Sequence, residues 1–461
     1  MSDHYNDFIK AGKLKVFDKE HRKTINFNIS KYDTAVLKGK LQYNNLNLAR
    51  ERAANIKHRT INDLDKYIVE FEANFISRGG KIIWAKDQDE AIIEIINIMK
   101  KYDARYVVKS KSMITEEIEL NHHLEENKIE SLETDLGEYI VQLAGEKPYH
   151  IITPAMHKSK EDIAKLFYQK FGLHEDATPE EITAFVRKLI RDKFTSADVG
   201  ITGANFLLAD IGGIALTENE GNALMCVSFP KIQIVIAGIE KIIPSMKDLD
   251  LFWPLLATHG TGQKITSYNS ILTGPRQENE TDGPLEMYVV IIDNGRTEVL
   301  NHEKQRRALS CIKCGACLNG CPVYKNIGGH AYGTTYSGPI GSVITPYMRG
   351  MQEFKHLSFA STLCGKCTEV CPVKINLHEL LLYNRSDSVK LGYANRMDKF
   401  VMFVWKKAMM NRWLIERSGV KMKNFMIRKF FSKPWGSRRE IPIVYSKSFN
   451  RLWREQRGTK G

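Results

Sequence analysis

The residues best suited to chemistry are seven cysteines that lie within 61 residues of one another. In chain order they are Cys311, Cys314, Cys317, Cys321, Cys364, Cys367 and Cys371. The first four form C-x2-C-x2-C-x3-C before a proline, and the last three repeat its second, third and fourth positions 50 residues later. Ser361 stands where the repeat would place a first cysteine. Because thiolates in this spacing hold [4Fe–4S] clusters, the sequence predicts an iron–sulfur protein.

The ligands of the two clusters are expected to cross between the two copies of the motif. In ferredoxin-like repeats the cysteine before the proline ligates the other cluster. One cluster, here cluster one, is therefore predicted to use Cys311, Cys314, Cys317 and Cys371. The other, cluster two, is predicted to use Cys321, Cys364 and Cys367, and it lacks one thiolate. A zinc site fits poorly, since it usually draws its thiolates from two separated pairs.

Three arrangements account for the missing ligand of cluster two. An oxygen ligand, such as Ser361 or water, would keep a [4Fe–4S] cluster, and we favour this arrangement. Loss of one iron would leave a [3Fe–4S] cluster. A distant residue, Cys226 or His378, would be the third source. Cys226 itself lies in the apolar stretch NALMCVSFP and is more typical of a buried structural cysteine.

The residues before the cysteines alternate between strand and helix patterns. A helical pattern over 58–80 ends at Gly79 and Gly80. The predicted strands cover 81–86, 105–110, 128–133, 213–218, 231–240 and 286–293, and the helices between the first three cover 89–102 and 114–127. Such alternation predicts an α/β domain with parallel strand pairs. The glycine-rich segment 327–346 is expected to be an ordered, irregular loop.

One segment of the α/β region, 203–222, combines glycines with polar side chains. Ligands of α/β folds lie at the carboxyl ends of strands, where glycine lets the backbone approach them. The candidate binding residues are Asn205, Asp210, Gly212, Gly213, Thr217, Glu218 and Asn219. The alternative is a turn-rich connection whose Asn and Gly serve backbone conformation. No G-x-G-x-x-G joins a strand to a helix, and no residue is assigned a catalytic role.

The net charge of +13 belongs to the last part of the chain. From Asn384 onward there are 20 Lys and Arg against 5 Asp and Glu, and four of the six tryptophans lie there. Interleaved basic and bulky apolar residues suit a helix that docks on a partner protein or lies on an anionic membrane. Packing against the cluster region is the alternative. No nucleic-acid motif accompanies the charge, so no nucleic-acid partner is expected.

The sequence also predicts a location for the protein. The first 20 residues contain no apolar segment of a secretory signal, and apolar runs such as 400–405 are too short to span a bilayer. Clustered cysteines without a signal peptide favour metal binding over disulfides. We therefore expect a cytoplasmic protein.

Taken together, the motifs resemble the lactate utilization protein B family, and the resemblance covers nearly the whole chain. Its carriers are ETDLGEYIVQL (133–143), ITPAMH (152–157), GITGANFLLADIGGIALTENEGN (200–222), CIKCGACLNGCPVY (311–324), YSGPIGSVITP (336–346) and LCGKCTEVCPVKI (363–375). The cysteines alone indicate a ferredoxin-like protein, and the α/β segments narrow the resemblance to this family.

The resemblance implies a multidomain fold that is α/β in one part and α-helical in others. An N-terminal helical region (1–75) would precede a lactate-utilization domain (76–300) similar to the Rossmann-like sugar-isomerase and CoA-transferase group. A ferredoxin-like dicluster domain (301–383) and a basic helical C-terminal region (384–461) would follow.

The resemblance also implies a function. Members of the family are iron–sulfur proteins of a system that oxidises L-lactate to pyruvate and supports growth on lactate. The expected partners are a second cysteine-rich subunit and another subunit with a lactate-utilization domain. We do not expect this chain to oxidise lactate alone. The rivals are an iron–sulfur subunit for another 2-hydroxy acid such as glycolate, and a non-redox, cluster-stabilised binding module whose basic tail binds a polyanion.

Overall fold

The computed structural model describes residues 3–411, 413, 419–436 and 440–458. The chain divides into two compact units, Met1–Ser388 and Val389–Gly461. The first unit contains the predicted α/β region and the cysteine region. The second unit contains most of the basic tail.

Four helices form the N-terminal region of the first unit. They are α1 (Asp3–Phe17), α2 (Lys19–Gly39), α3 (Leu46–Asn62) and α4 (Leu64–Ser77). The predicted helical pattern over 58–80 is divided at Asp63, between α3 and α4. The apolar residues of α4 are buried at helical spacing, and the chain leaves the helix at Gly79, whose φ is +86°.

A sheet of six parallel strands lies at the centre of the α/β domain, as the strand–helix alternation predicts. Its strands are β1 (Lys81–Ala85), β2 (Tyr106–Lys109), β3 (Glu130–Glu133), β4 (Val199–Gly203), β7 (Ile232–Gly238) and β10 (Glu286–Ile292), in the order β1-β10-β7-β4-β2-β3. All seven residues of β7 are buried, which explains why its sequence is apolar at every position except Gln233. The strand order reverses between β2 and β4, where parallel α/β sheets bind ligands.

Eight helices connect and flank these strands. They are α5 (Gln88–Lys101), α6 (Met113–Glu117), α7 (Leu120–Glu126), α8 (Leu136–Leu143), α9 (Lys160–Phe171), α10 (Pro179–Ser196), α11 (Asn222–Ser228) and α12 (Leu249–Gly260). The helix predicted over 114–127 is divided into α6 and α7, because Glu119 adopts a left-handed conformation with φ +50°.

A second, smaller sheet has mixed strand directions. It contains β5 (Phe206–Leu208), β6 (Gly213–Glu218), β8 (Ile242–Ile243) and β9 (Tyr268–Leu272), in the order β8-β5-β6-β9. The strand predicted over 213–218 therefore exists, but β6 pairs antiparallel with β5 and β9 and does not join the parallel sheet. The four residues between β5 and β6 are too few for a parallel crossover.

Seven α-helices follow β10 in the cysteine region. They are α13 (Arg296–Asn301), α14 (Ala316–Asn319), α15 (Tyr324–Ile327), α16 (Gly338–Met348), α17 (Met351–Phe359), α18 (Lys366–Val370) and α19 (Leu377–Lys390). The prediction of an irregular loop over 327–346 is wrong for the second half of that segment, which forms α16. Ile340, Val343, Ile344 and Tyr347 are buried there at helical spacing, a signal that the surrounding glycines and prolines obscured.

Short 3-10 helices complete the first unit. They cover Lys40–Gln42, Ala209–Ile211, Ile239–Lys241, Met246–Asp248, Gln305–Ser310 and His330–Tyr332. The fifth of these ends directly before Cys311, the first residue of the first cysteine motif.

One hydrophobic core joins the N-terminal helices to the cysteine region. Ile25 and Ile29 of α2 share it with Cys314, Leu318 and other buried residues of the cysteine motifs. Arg50 of α3 donates from Nε and Nη2 to the carbonyl oxygen of Cys371, at 3.0 and 2.7 Å. The N-terminal helices therefore help to position the cysteines.

The second unit contains three described helices, α20 (Arg396–Met410), α21 (Val420–Trp435) and α22 (Phe449–Arg457). No residue of α20 is buried, and its Phe400 and Phe403 are 64% and 58% exposed. Among the described residues, no helix combines the length and the apolar character that crossing a bilayer requires.

Candidate iron–sulfur sites and adjoining cavity

The structure gathers four cysteines from both copies of the motif around one small cavity. They are Cys311, Cys314, Cys317 and Cys371, the set predicted for cluster one. Three of these side chains are buried, and Cys311 is half-buried. Burial raises the pKa of the Cys371 thiol to about 11, so a bound metal must displace its proton.

The three cysteines predicted for cluster two also lie near one another. Burial, together with the neighbouring Cys321 and Cys364 thiols, raises the pKa of the Cys367 thiol to about 11. This group is closer to the surface, since Cys364 is exposed and Cys321 is half-buried.

The two copies of the motif adopt the same backbone conformation. Lys313 and Leu363, which are 50 residues apart, are both left-handed with φ of +58° and +55°. Gly315 and Gly365 are likewise left-handed, with φ of +74° and +79°. A short helix, α14 or α18, begins directly after each glycine. The sequence repeat is therefore also a structural repeat.

Ser361 occupies the position in the second loop that Cys311 occupies in the first. The Cys311 Sγ accepts a hydrogen bond from the backbone N–H of Lys313 at 3.4 Å. The Ser361 Oγ accepts the corresponding bond from the N–H of Leu363 at 3.1 Å. The loop thus presents an oxygen where its counterpart presents a sulfur.

The two distant ligands considered for cluster two lie in different settings. His378 Nδ1 is hydrogen-bonded to Thr368 Oγ1 at 2.7 Å. Cys226 is fully buried in the core group of α8, α9 and α10, and its Sγ lies 3.4 Å from Thr134 Oγ1. The other buried cysteines belong to a separate core group. Cys226 is therefore a structural cysteine, in line with the apolar character of its sequence.

The surroundings of the cluster-one cysteines fit a [4Fe–4S] cluster. His150 Nδ1 accepts from the N–H groups of Ile152 and Thr153 at 3.1 and 3.2 Å, which leaves the proton on Nε2. Burial lowers the pKa of His150 to about 3, so the ring is neutral. Nε2 is buried and makes no hydrogen bond of ordinary geometry with the described residues, beside the Cys314–Cys317 loop. Hydrogen bonds from such donors to cluster sulfurs are one of the factors that set a cluster's reduction potential.

A larger cavity of about 420 Å³ adjoins this loop. It lies where β2, β4 and β7 end, and we call it the switch-point cavity. Its wall includes the segments 110–114 after β2 and 203–205 after β4, with Lys241 after β7. Ile312 and Lys313 of the cluster-one loop also line it.

Four of the seven residues predicted to bind a ligand line this cavity, namely Asn205, Thr217, Glu218 and Asn219. The other three, Asp210, Gly212 and Gly213, are not among its lining residues. Asp210 instead accepts hydrogen bonds from the Ser245 hydroxyl at 2.7 Å and from the Met246 N–H at 3.0 Å.

The four lining residues mostly hold the wall together. Asn205 Oδ1 accepts from the N–H of Thr217 at 2.9 Å. The Glu218 carboxylate accepts from the N–H groups of Ala223 and Leu224 at 2.7 and 2.9 Å, at the start of α11. Thr217 and Asn219 instead bond mainly to the side chains of Asn269 and Gln263. The residue types indicated a polar strand end, but their hydrogen bonds are made within the wall.

Sequence reasoning missed an ion network that forms another part of the wall. Arg296 is 1% exposed and lies between Glu117 and Glu240, with N–O distances of 2.8 and 2.5 Å. Tyr336 donates to Glu117 at 2.7 Å. Burial would raise the pKa of Glu240, but Arg296 and two nearby lysines lower it to about 2. No local motif links these positions, which come from separate segments of the chain.

Comparison with known families defines the class of protein. Residues 68–292 match the LUD domain, and residues 307–375 match the 4Fe–4S dicluster domain. The chain is therefore an iron–sulfur protein in which a LUD domain precedes a dicluster domain.

Curated relatives then give the family. "Lactate utilization protein B" of Bacillus cereus (strain AH820) is 43% identical over 420 residues, which cover 88% of each chain. The protein of the same name from Bacillus cytotoxicus is 44% identical over the same length and coverage. This chain belongs to the lactate utilization protein B family, which confirms the resemblance predicted from its motifs.

Among solved structures, a DUF162 family protein from Deinococcus radiodurans matches 50% of this chain and 98% of its own. The identity is 11% and the TM-score is 0.26, a likeness too slight to support a conclusion.

Proposed function

We propose that this chain is the electron-transfer component of a system that oxidises L-lactate to pyruvate and so allows growth on lactate. The observation that carries the proposal is the cavity lined by Cys311, Cys314, Cys317 and Cys371, because it joins thiols from both copies of the repeat. The names of the curated relatives supply the link to lactate.

Two clusters are part of this proposal. Cluster one would be held by the four cysteines of that cavity, and cluster two by Cys321, Cys364 and Cys367. When bound, such clusters accept and release single electrons. The position of Ser361 Oγ supports an oxygen ligand at cluster two, from Ser361 itself or from water. A [3Fe–4S] cluster is the alternative if that position stays empty.

The residues of this chain hold and shield the clusters, and the first chemical step is assigned to partners. Conversion of lactate to pyruvate removes two electrons and two protons, which requires a hydride or electron-pair acceptor. We assign no such group to this chain. A second cysteine-rich subunit and another LUD-domain subunit are the proposed partners. The basic tail is proposed to contact a partner subunit or a membrane surface, and the complex is placed in the cytoplasm, where clustered thiols stay reduced.

An anaerobic reduction assay tests this function. The purified chain, with and without the two partner subunits, is mixed with L-lactate while the cluster absorbance and pyruvate are followed. We expect bleaching only when the partners are present. Faster bleaching with glycolate would assign the system to another 2-hydroxy acid. Clusters that no substrate reduces would indicate a non-redox role. Pyruvate formed by the isolated chain would contradict the assignment of lactate oxidation to the partner subunits.

A further inference from the structure

Lysines lie at one part of the switch-point cavity, beside the ion network of Arg296, Glu117 and Glu240, and acidic residues lie at another part. Both oxygens of Glu117 and one oxygen of Glu240 accept from Arg296. One buried arginine thus occupies two buried carboxylates. Lys57 donates to the carbonyl oxygens of Glu240 and Ile242 at 2.6 and 3.0 Å. Burial lowers the pKa of Lys57 to about 7, against the influence of the nearby Glu240 carboxylate.

Two further lysines line the cavity itself. The Lys241 side chain makes no hydrogen bond or ion pair with any described residue, and burial lowers its pKa to about 8. Lys313 Nζ lies 3.9 Å from the centre of the Tyr336 ring, which is a weak substitute for an anion. Both lysines are half-buried, and an anion placed beside a partly desolvated cation stabilises its charged form.

Cluster one alone does not account for these lysines. The Cys311 thiol is close enough to influence the pKa of Lys57 and Lys241. However, the cysteines line a separate cavity, whereas Lys241 and Lys313 line the switch-point cavity. A molecule in the switch-point cavity would therefore meet both lysines.

The rest of the wall restricts the kind of anion. Phosphate sites commonly use the N-terminus of a helix. Of the helices that begin at this wall, α6, α11 and α13 have only five, seven and six residues. The eight-residue helix α8 is capped by the Asp135 carboxylate, which leaves no room for an anion there. Asp135, Glu218 and Glu220 form an acidic part of the wall, which would repel a second anionic group. These features favour a ligand with a single small anionic end and neutral polar groups.

We propose that the switch-point cavity binds a small organic carboxylate, a 2-hydroxy or 2-oxo acid, whose carboxylate is held by Lys241 and Lys313. The choice of acid rests on the function proposed above, in which L-lactate and pyruvate are the substrate and product. The volume of about 420 Å³ accommodates such an acid with room to spare.

The site is coupled to the cluster-one loop through Lys313. Its side chain lines the cavity, and its backbone N–H donates to Cys311 Sγ at 3.4 Å. A ligand that pulls on the Lys313 side chain therefore changes the surroundings of a cluster-one cysteine. Binding is expected to alter the electron paramagnetic resonance spectrum of the reduced protein, and not only to release heat.

Calorimetry on the full-length, cluster-containing chain tests the proposal without any partner subunit. L-lactate, pyruvate and inorganic phosphate are the probes. We expect one of the two acids to bind, and Lys241→Gln and Lys313→Gln each to raise its Kd about tenfold or more, as loss of a charged hydrogen-bond donor implies. Lys241→Arg should retain most of the affinity. Lys247→Gln is the matched control, because Lys247 is exposed and outside the cavity.

The outcomes separate cleanly. Binding of neither acid, or binding of phosphate alone, would overturn the proposal, as would an unchanged Kd in a Lys241→Gln protein with normal iron content. If that variant fails to fold, acetylation footprinting of the unaltered protein decides: pyruvate or L-lactate must protect Lys241 and leave Lys247 reactive. If neither acid binds but lactate and the partner subunits still reduce the clusters, only the carboxylate site is wrong. If an acid binds but the clusters are not reduced in that assay, only the proposed electron-transfer function is wrong.

Discussion

The two cysteine loops are built alike but lie in different surroundings. Their backbones match at positions 50 residues apart, down to the left-handed Lys313 and Leu363. Yet the thiols of the cluster-one site are mostly buried, whereas Cys364 of the cluster-two site is exposed. Local spacing thus sets the shape of a cluster loop, and the packing around it sets its access to solvent and to partners.

The charges around the two sites differ in the same way. Beside the cluster-one loop, Arg296, Glu117 and Glu240 form a buried network. Beside the cluster-two loop, Lys366 and Glu369 form a surface pair at 2.8 Å, with side chains 48% and 69% exposed. This contrast leaves the cluster-one cysteines in a more protected setting than the cluster-two cysteines.

The largest expected effect comes from removing the cysteine that each motif lends to the cluster of the other motif. Cys371→Ala should remove the cluster of the first loop, and Cys321→Ala that of the second, each with loss of roughly half of the iron. Iron analysis and electron paramagnetic resonance measure both, with Cys226→Ala as the matched control that keeps all iron. If each substitution instead removed the cluster of its own motif, the crossing would be wrong.

The buried and exposed ion pairs should differ strongly in their contribution to stability. Arg296→Met leaves two buried carboxylates without a partner and should lower the free energy of unfolding by about 3–5 kcal/mol. Lys366→Gln removes one exposed partner and should cost about 0–1 kcal/mol. Urea unfolding of both variants provides the measurement. Equal losses would show that the two sites are equally protected.

Lowering the pH should reduce the free energy of unfolding through His150, which lies beside the cluster-one loop. Because burial lowers its folded-state pKa to about 3, its stabilising effect is complete above its ordinary pKa of about 6.5. That effect is lost as the pH falls from about 6.5 towards 3, since the unfolded state then binds the proton. His150→Asn should therefore lose about 1.4 kcal/mol less stability than the unaltered chain between pH 7.5 and 5.5. Identical losses in urea unfolding would show that His150 does not contribute.

The smallest expected effect concerns the fourth position of cluster two. Ser361→Cys should make the two sites chemically alike and slow the loss of iron in air. Ser361→Ala should leave the iron content nearly normal under anaerobic conditions but change the spectrum of that cluster alone, because water can replace the oxygen ligand. Thr362→Ala, at the exposed neighbouring residue, is the control. An unchanged spectrum in Ser361→Ala would exclude Ser361 as a ligand.

Sequence spacing alone was sufficient for features that are local along the chain. The strand patterns predicted five of the six parallel strands, all but β4, because side-chain types at fixed short intervals specify a strand directly. The four cysteines assigned to cluster one line one cavity, and their role as its ligands stays a prediction. The motifs also indicated the family that the curated relatives confirm.

Tertiary structure decided the features that depend on distant segments. Arg296, Glu117, Glu240 and Lys241 meet only because the sheet order brings the ends of their elements together. The same packing left Asp210 outside the cavity and placed β6 in a second sheet. Each residue type was visible in the sequence, but its neighbours across the chain were not, because burial and charge pairing arise from contacts that no local pattern encodes.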